Sequence, residues 1–162
     1  MSRHAISFPI EGQRFNYRVA AIIIAEGHVL VCREDDDSYA MLPGGRVEMG
    51  EPSQLSLERE MAEELAMPAE IGPLVATSES FYRREGEDFH ELGFFYSVDL
   101  PGQGPNGQAP WLRRWDEGHE LHFFWVPLEG DALEAMNLLP AWLPGFLRNL
   151  PDAPVHVVDD AR

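Results

Sequence analysis

Residues 52–67 constrain the fold of this chain more than any other segment. An apolar side chain recurs every four residues along it and forms a ridge: Leu57, Met61 and Leu65. That spacing is typical of a helix that packs one face against a core. Pro52 suits the first helical position, where its missing N–H costs nothing, and Pro68 stands where a proline commonly ends a helix. The segment therefore predicts a central amphipathic helix.

The same helix carries a group of carboxylates that core packing does not explain. Glu60, Glu63 and Glu64 stand at i, i+3 and i+4, so their side chains project from one helical face. Arg59 is the only basic residue of the predicted helix, so the group stays strongly negative. Oxygen ligands of this kind select hard divalent cations such as Mg²⁺ or Mn²⁺. A solvated, glutamate-rich helix is the alternative, since glutamate is a good helix former.

Strand-like segments surround this helix in the sequence. The predicted strands cover residues 17–25, 28–33, 39–42, two stretches within 72–100 that flank a charged hairpin tip, 121–128 and 156–158. A loop rich in Gly and Pro is expected at 101–110, and a helical segment at about 133–150, with breaks near Pro140 and Pro144. No repeat or linker divides the chain. We therefore expect a single α/β domain over residues 1–162, with a mixed sheet covered on both faces.

The charge balance excludes several classes of function. The sequence has 12 basic and 28 acidic residues, a net charge of −16. A non-specific nucleic-acid binder shows the opposite sign, and an anionic membrane surface would repel this chain. Every basic residue is an arginine, which removes lysine Schiff-base chemistry and the lysine of a phosphate-binding P-loop. Phosphates would have to be held by arginine, backbone amides or metal ions.

Cysteine usage and hydropathy indicate a compartment. The single cysteine, Cys32, lies in an apolar run without a partner in the chain, which favours a buried structural thiol in a reducing compartment over a catalytic thiol. No apolar run approaches the roughly 20 residues that span a bilayer. Residues 1–8 lack the basic and apolar regions of a secretory signal. We therefore expect a cytoplasmic protein.

Residues 45–67 follow a specific spacing. Gly45 is followed after five residues by Glu51, and after seven more by the run Arg59-Glu60-Met61-Ala62-Glu63-Glu64-Leu65-Ala66-Met67. This arrangement resembles the box of the Nudix superfamily, which runs Gly-x5-Glu-x7-Arg-Glu-apolar-x-Glu-Glu-x-Gly-apolar. Ala66 is the one departure, at a position where the family usually has glycine. We expect it to affect the exit of the helix more than the carboxylates.

The resemblance implies a Nudix-like α/β/α sandwich around a mixed β-sheet and a pyrophosphohydrolase that acts on acid anhydrides. Its substrate would be a small nucleotide-type molecule, a nucleoside diphosphate linked to another group, cleaved by water with Mg²⁺ or Mn²⁺ as cofactor. The implied metal ligands are Glu60, Glu63, Glu64 and the backbone carbonyl of Gly44. One of the glutamates would also serve as general base, while Arg59 and Glu51 would be the supporting pair that orients the box. Many relatives are dimers, so a homodimer is a further expectation.

Residues outside the box supply candidates for substrate binding. Arg46, Arg83 and Arg84 can clamp phosphates with two hydrogen bonds each, although the last two equally fit a charged hairpin tip. Glu120 and Glu91 are candidates for an additional carboxylate, and for Glu91 a plain surface position is the favoured interpretation. Weaker candidates are His90 as a base or phosphate donor, Trp111, Trp115 and Phe123 as stacking partners, and residues 116–119 as part of the mouth of the site.

Two other functions fit parts of the pattern. A catalytically silent Nudix-fold module that binds or senses nucleotides would keep the fold, but it need not retain the full set of carboxylates. Isomerase chemistry on an isoprenoid diphosphate needs a different box and a cysteine near the site, which Cys32 in an early strand fits poorly. The sequence therefore favours the hydrolase and leaves open the attached group, the phosphorus that is attacked and the oligomeric state.

Overall fold

The computed structural model describes residues 4–162, so the first three residues of the segment examined for a secretory signal lie outside it. The strands are β1 (Ser7–Ile10), β2 (Gln13–Ile22), β3 (Ile24–Ala25), β4 (His28–Glu34), β5 (Gly44–Arg46), β6 (Glu70–Arg84), β7 (Glu87–Asp99), β8 (Leu112–Asp116), β9 (His119–Pro127) and β10 (Val155–Asp160). The helices are α1 (Ser53–Leu65), α2 (Ala132–Ala135) and α3 (Leu143–Arg148). None of these helices is long and apolar enough to cross a membrane.

The strands form two sheets. The larger has the order β1-β2-β7-β6-β10, with β5 paired to β2. It is mixed, because β2 runs parallel to β7 and β10 runs parallel to β6, while the remaining pairs are antiparallel. The smaller sheet has the order β3-β4-β9-β8 and is antiparallel. The predicted α/β fold with a mixed sheet is confirmed.

Strand β2 lies between two hydrophobic cores, because its side chains alternate between the faces of the sheet. Val19 and Ala21 pack in the core that contains the apolar ridge of α1, the predicted Leu57, Met61 and Leu65. Ala20 and Ile22 pack in the second core with side chains of α2 and α3, including Leu133 and Leu143. A strand covered on both faces reads as a continuous apolar run, as residues 19–25 do.

Helix α1 occupies the predicted place with different ends. Pro52 has extended backbone (φ −62°, ψ 147°) and is the N-cap, so the prediction that it starts the helix is wrong. The fixed φ of proline is as compatible with this extended position as with the first helical one. The helix ends at Leu65, because Ala66 turns into the left-handed region (φ 53°, ψ 38°) before Pro68 is reached. The residue preceding a proline is itself disfavoured in the helical region.

Other predicted elements differ from the structure in detail. Residues 39–42 form no strand, since Ala40 bridges to Leu138 and Met41 to Cys32, and partners on two different segments build no ladder. The predicted helical segment at 133–150 contains α2 and α3, and Pro144 lies in the first turn of α3, where proline is tolerated, instead of breaking it. The charged hairpin and the terminal strand are present as predicted, as β6–β7 and β10.

Candidate active site

The carboxylates of α1 are unequally buried. Glu60 and Glu64 are buried, each with 7% of its surface exposed, whereas Glu63 is exposed. The difference follows from position, because Glu60 and Glu64 flank Met61 and Leu65 on the packed side of the helix. Two carboxylates on one helix face are thus held away from water.

Arg59 connects the predicted supporting pair. Its guanidinium lies 3.1 Å from a Glu51 carboxylate oxygen and 2.9 Å from one of Glu60, and 3.6 Å from one of Glu63. Ser56 donates a further hydrogen bond of 2.8 Å to Glu51. The hydrogen bond from Arg59 lowers the pKa of the Glu51 carboxyl group. Arg59 therefore contacts carboxylates on both sides of itself, from Glu51 before α1 and from Glu60 and Glu63 within it.

Two glycines bring the backbone of β5 against these carboxylates. The backbone of Gly44 lies near the Glu64 carboxylate and acts to lower its pKa, against the effect of burial. Gly45 lies so close to Glu60 that a Cβ at this position would overlap the carboxyl group. A Cβ at Gly44 would instead overlap the backbone carbonyl oxygen of Val19 on the neighbouring strand. Close approach of the backbone requires glycine at Gly44, whereas at Gly45 an added Cβ would meet only the end of the Glu60 side chain.

Burial leaves the two carboxylates electrostatically unsatisfied. It raises the pKa of the Glu60 carboxyl group, against an offset from the Arg59 hydrogen bond. Burial, followed by the charge of Glu60, raises the pKa of the Glu64 carboxyl group well above its usual range. One Glu64 oxygen, Oε2, is buried without a hydrogen-bond partner. A buried carboxylate oxygen that lacks a donor fits a divalent cation, which supplies positive charge and accepts oxygen ligands.

A cleft of about 650 Å³ opens beside this pair. Its lining includes Gly45, Glu60 and Glu64 from the box, and Glu34, Asp116 and Glu117 from the loops around it. Residues 116–119, which were expected at the mouth of the site, contribute three side chains including His119.

Two arginines face the cleft, and sequence analysis identified one of them. Arg46 was predicted, and it is exposed on the cleft wall at the end of β5. Arg18 was not. It is half-buried on β2 and hydrogen bonds the carbonyl of Leu42 at 3.3 Å. A charged residue inside the otherwise apolar segment 17–25 was the signal that could have identified Arg18.

A second acidic group lies at the exposed rim of the cleft. Among the described residues, Glu34, Asp35 and His119 form the one group of three side chains whose ligand atoms lie within 4.8 Å of one another. The three are paired with each other, with His119 Nδ1 at 2.8 Å from Asp35 and 3.1 Å from Glu34. The hydrogen bond between His119 and Asp35 lowers the pKa of the carboxyl group and raises that of the imidazole. All three are exposed, so their mutual pairing accounts for the arrangement.

Other predicted substrate-binding residues lie away from the cleft. Arg83 is paired with Asp88 at 2.9 Å on the exposed hairpin, which agrees with the alternative of a charged hairpin tip. Glu120 accepts a contact of 2.9 Å from His122, and its backbone N–H bonds Asp35. Neither side chain lines the cleft.

The weaker candidates are placed as follows. Phe123 is fully buried core, Trp111 packs edge-on against Trp125, and Trp115 is exposed on β8. His90 packs between Phe15 and Phe81 on the larger sheet. Packing thus accounts for Phe123, Trp111 and His90.

Arg84 and Glu91 line a second cavity and do not line the cleft. The guanidinium of Arg84 lies 4.9 Å from the ring centre of Tyr39 and 5.0 Å from that of Tyr82. Tyr82 donates a hydrogen bond of 3.0 Å to the Glu91 carboxylate. The expectation of a plain surface position for Glu91 is therefore wrong, because the residue is half-buried and lines this cavity.

Cys32 lies closer to the site than its place in the sequence suggested. It is half-buried and lines a small cavity together with Glu64 and Arg18. Burial, followed by the charge of Glu64, raises the pKa of its thiol. The thiol is therefore protonated at neutral pH and is no nucleophile, which agrees with the predicted structural role.

The structure is thus an α/β protein with a mixed sheet between helices and a carboxylate-rich helix over an acidic cleft. The family model of the NUDIX domain matches residues 14–143, and the chain belongs to this family. It is thus a Nudix pyrophosphohydrolase, an enzyme that acts on acid anhydrides. Members of the family generally use divalent metal ions and small nucleotide-type substrates.

Solved structures agree with this assignment. The solution structure of the Escherichia coli ORF135 protein is 28% identical, with a TM-score of 0.50 over 85% of this chain and 89% of that one. A NUDIX hydrolase from Nitrosomonas europaea is 24% identical, with a TM-score of 0.55 over 77% and 81%. An ADP-ribose pyrophosphatase from Streptococcus suis is 15% identical, with a TM-score of 0.53 over 87% and 98%. The last two similarities concern the fold alone. No curated protein matches the sequence significantly.

Proposed function

We propose that the protein hydrolyses, with Mg²⁺ or Mn²⁺, the phosphoanhydride bond of a nucleoside diphosphate linked to another group. The observation that carries this proposal is the buried Glu64 Oε2 atom without a hydrogen-bond partner, beside buried Glu60 and at the wall of the cleft. A structural glutamate would be paired or exposed, whereas a metal ligand needs an uncommitted oxygen.

The proposed ligands of the cation are Glu60, Glu63 and Glu64, with the backbone carbonyl of Gly44. Glu60 and Glu64 already face the cleft, and Glu63 stands beside it on the same helix with its carboxylate near Arg59. Such a cation, when bound, neutralises phosphate charge and makes a bound water more acidic.

The remaining chemistry belongs to side chains of the chain itself. Arg59 and Glu51 hold the box in register through the hydrogen bonds between them. Arg46 and Arg18 are the basic residues that face the cleft, and their guanidinium groups are suited to phosphate oxygens. One of the three glutamates accepts the proton of the attacking water as general base. Arg83 and Glu120 take no part in this proposal because neither lines the cleft.

The proposal is tested by turnover with a matched pair of variants. The purified protein is incubated with Mg²⁺ and a panel of nucleoside diphosphate derivatives, with a chelator control, and products are resolved by mass. We expect cleavage of one class of substrate that is sensitive to chelator and falls at least 100-fold in Glu64→Gln. Glu58→Gln, at an exposed position of the same helix, should retain the wild-type rate.

The opposite outcome is equally informative. If the folded wild-type protein cleaves nothing in the panel with Mg²⁺ or with Mn²⁺, the hydrolase proposal fails for these substrates. Calorimetry with Mn²⁺ alone then separates two cases. If the wild type binds Mn²⁺ and Glu64→Gln does not, the metal site is supported but the reaction is not, as in a silent nucleotide-binding module. Binding that is unchanged in the variant would refute the assignment of the metal ligands.

A further inference from the structure

A second cavity lies on the face of the larger sheet that also carries the core under α2 and α3. It has a volume of about 200 Å³ and lies between strands β6 and β7 and the segment around Leu139 and Pro140. Met41, Tyr82 and Glu91 also line it. This is below the roughly 300–1,000 Å³ of a site for a drug-sized ligand, so the cavity accommodates a fragment of a substrate.

Two smaller spaces lie between the catalytic cleft and the second cavity and share lining residues with them. Arg18 lines the cleft and also two smaller spaces of about 110 and 20 Å³. The first of these contains Glu64 and Met41, and the second contains Met41 and Glu91. Met41 and Glu91 then line the second cavity itself. Arg18 and Met41 thus stand between the box carboxylates and Glu91.

Strand register fixes Glu91 in this position. Glu91 pairs with Ser80 on β6 and with Asn16 on β2, so the three side chains share one face of the sheet. Ser80 and Asn16 are buried, so the neighbours of Glu91 across both strands are polar rather than apolar. Arg18, two residues further along β2, lies on the same face.

The carboxylate of Glu91 is held as a hydrogen-bond acceptor. Tyr82 donates to its Oε2 at 3.0 Å. Burial, followed by the charge of Glu91, raises the pKa of Tyr82, so the hydroxyl remains a donor at physiological pH. The basic groups near the cavity are engaged, Arg83 with Asp88 and Arg84 over the ring of Tyr82. A ligand therefore meets a fixed acceptor at this wall.

The other walls restrict the chemistry of the ligand. Met41, Leu139, Pro140 and Ala141 present apolar surface, against which a flat ring packs well. A sugar would leave several hydroxyl groups against these side chains without partners, at a cost in free energy. A phosphate would meet the charges of Glu91 and Asp159, while Arg83 and Arg84, which also line the cavity, are already engaged with Asp88 and with the rings of Tyr39 and Tyr82. A heteroaromatic ring with N–H donors at one edge satisfies both the apolar walls and the acceptor.

We propose that this cavity binds the base of the nucleotide substrate, and that Glu91, positioned by Tyr82, selects bases that carry an exocyclic amino group. The inference rests on the proposed function for the placement of the diphosphate in the cleft, with Arg18 between the two sites. A base that presents a carbonyl oxygen where the amino group is expected leaves the carboxylate without a donor. Sites of this kind discriminate strongly against ligands that lack the matching group.

Binding of nucleoside monophosphates tests the inference without requiring turnover, because these molecules contain no anhydride bond. Calorimetry with Mg²⁺ present compares GMP with IMP and CMP with UMP, pairs that differ in an amino group. We expect the amino-bearing member of at least one pair to bind at least tenfold more tightly. Glu91→Gln should reduce that ratio to below about threefold, because an amide offers one acceptor oxygen in place of two and no charge.

Two further variants make the result specific. Tyr82→Phe keeps the ring and removes the donor that positions Glu91, so it should lower the base preference while the protein stays folded. Glu70→Gln, exposed at the opposite end of β6, should leave the preference unchanged. Equal affinities within both pairs for the wild-type protein, no binding of any monophosphate at millimolar concentration, or a preference that survives in both Glu91→Gln and Tyr82→Phe would each overturn the inference.

The outcome is separable from that of the proposed function. Anhydride cleavage without any base preference refutes the role of Glu91 and leaves the hydrolase intact. A preference that depends on Glu91 in a protein that cleaves nothing supports the base site and refutes the hydrolase proposal. Glu64→Gln should abolish turnover while keeping the ratio of affinities, since Glu64 does not line the second cavity.

Discussion

Burial of the Glu60 and Glu64 carboxylates costs folding free energy that exposed glutamates would not lose. The folded pKa of each group is raised, so the folded state of the metal-free protein holds more protons than the unfolded state at pH values above about 4.3, the unfolded pKa. Stability therefore falls as pH rises from there through the raised folded pKa values. The two buried carboxylates therefore cost stability as pH rises, and a cation bound at the proposed site would offset that cost.

We therefore predict opposite effects of Glu64→Gln with and without metal. In chelator at pH 8 the variant should have a higher free energy of unfolding than the wild type, and the difference should shrink as pH falls through the raised folded pKa of the wild-type carboxyl group. Mg²⁺ at 100 times its dissociation constant should stabilise the wild type by about 2.7 kcal/mol and the variant by much less. Urea denaturation across this pH range measures both effects, with Glu58→Gln as control. A variant that is less stable than wild type in chelator at pH 8 would contradict the argument.

Substitutions of the adjacent glycines Gly44 and Gly45 should have different effects, the first on stability and the second on metal binding. In Gly44→Ala the new Cβ meets the backbone of Val19, so we predict a loss of stability of about 1–3 kcal/mol. In Gly45→Ala it meets the end of the flexible Glu60 side chain, which can move. That variant should unfold near the wild-type denaturant concentration but bind Mn²⁺ at least tenfold more weakly in calorimetry. Unchanged Mn²⁺ affinity in Gly45→Ala would show that the position of Glu60 is not critical.

At the scale of the element, the C-terminal end of α1 shows the effect of having Ala66 where the family box has glycine. Ala66 adopts φ 53°, a conformation in which a Cβ is unfavourable and glycine is preferred. Arg114 donates a hydrogen bond of 3.2 Å to the carbonyl of Leu65, which satisfies one of the last carbonyl groups of the helix. The chain thus retains the left-handed exit without the glycine that usually provides it.

Replacing Ala66 by glycine should therefore stabilise the protein. We predict a gain of about 1 kcal/mol, or an increase in Tm of roughly 2–4 °C for a chain of this length. The matched control is Ala62→Gly, the same substitution at an exposed position inside α1, which should lose about 1 kcal/mol. Thermal unfolding followed by circular dichroism measures both. Similar destabilisation in the two variants would mean that Ala66 is not strained.

The elements that sequence analysis predicted are those whose signal is local. In α1 the apolar ridge and the carboxylates lie on one helix, so spacing alone placed Glu60 and Glu64 beside Leu65. The short strand β5 has three residues, two of them glycine, and no alternation can reveal it. Arg18 and Glu91 are 73 residues apart by number, and only the parallel pairing of β2 with β7 brings them to one cavity. Contacts of that kind depend on strand order, which the sequence pattern does not specify.

At the scale of the whole molecule, the net charge of −16 acts against capture of an anionic substrate. The cleft adds Glu34, Asp116 and Glu117 close to the point of entry, while Arg18 and Arg46 attract phosphates at short range. Long-range repulsion and short-range attraction respond differently to salt, since screening removes the former first. The rate at which the protein and an anionic substrate meet should thus be reduced by the negative electrostatic field of the whole molecule.

We predict that kcat/KM for a nucleoside diphosphate derivative rises with ionic strength. Between about 0.01 and 0.15 M salt the screening length falls from about 30 to about 8 Å, and repulsion at longer range is removed. The increase should be on the order of three- to tenfold, with kcat unchanged, because the bound state is governed by the local arginines and the cation. Initial rates at constant, saturating free Mg²⁺, in NaCl and in sodium acetate, distinguish screening from an effect of one anion. A fall in kcat/KM over this range would mean that the fields of Arg18, Arg46 and the bound cation extend beyond the acidic rim and dominate the encounter.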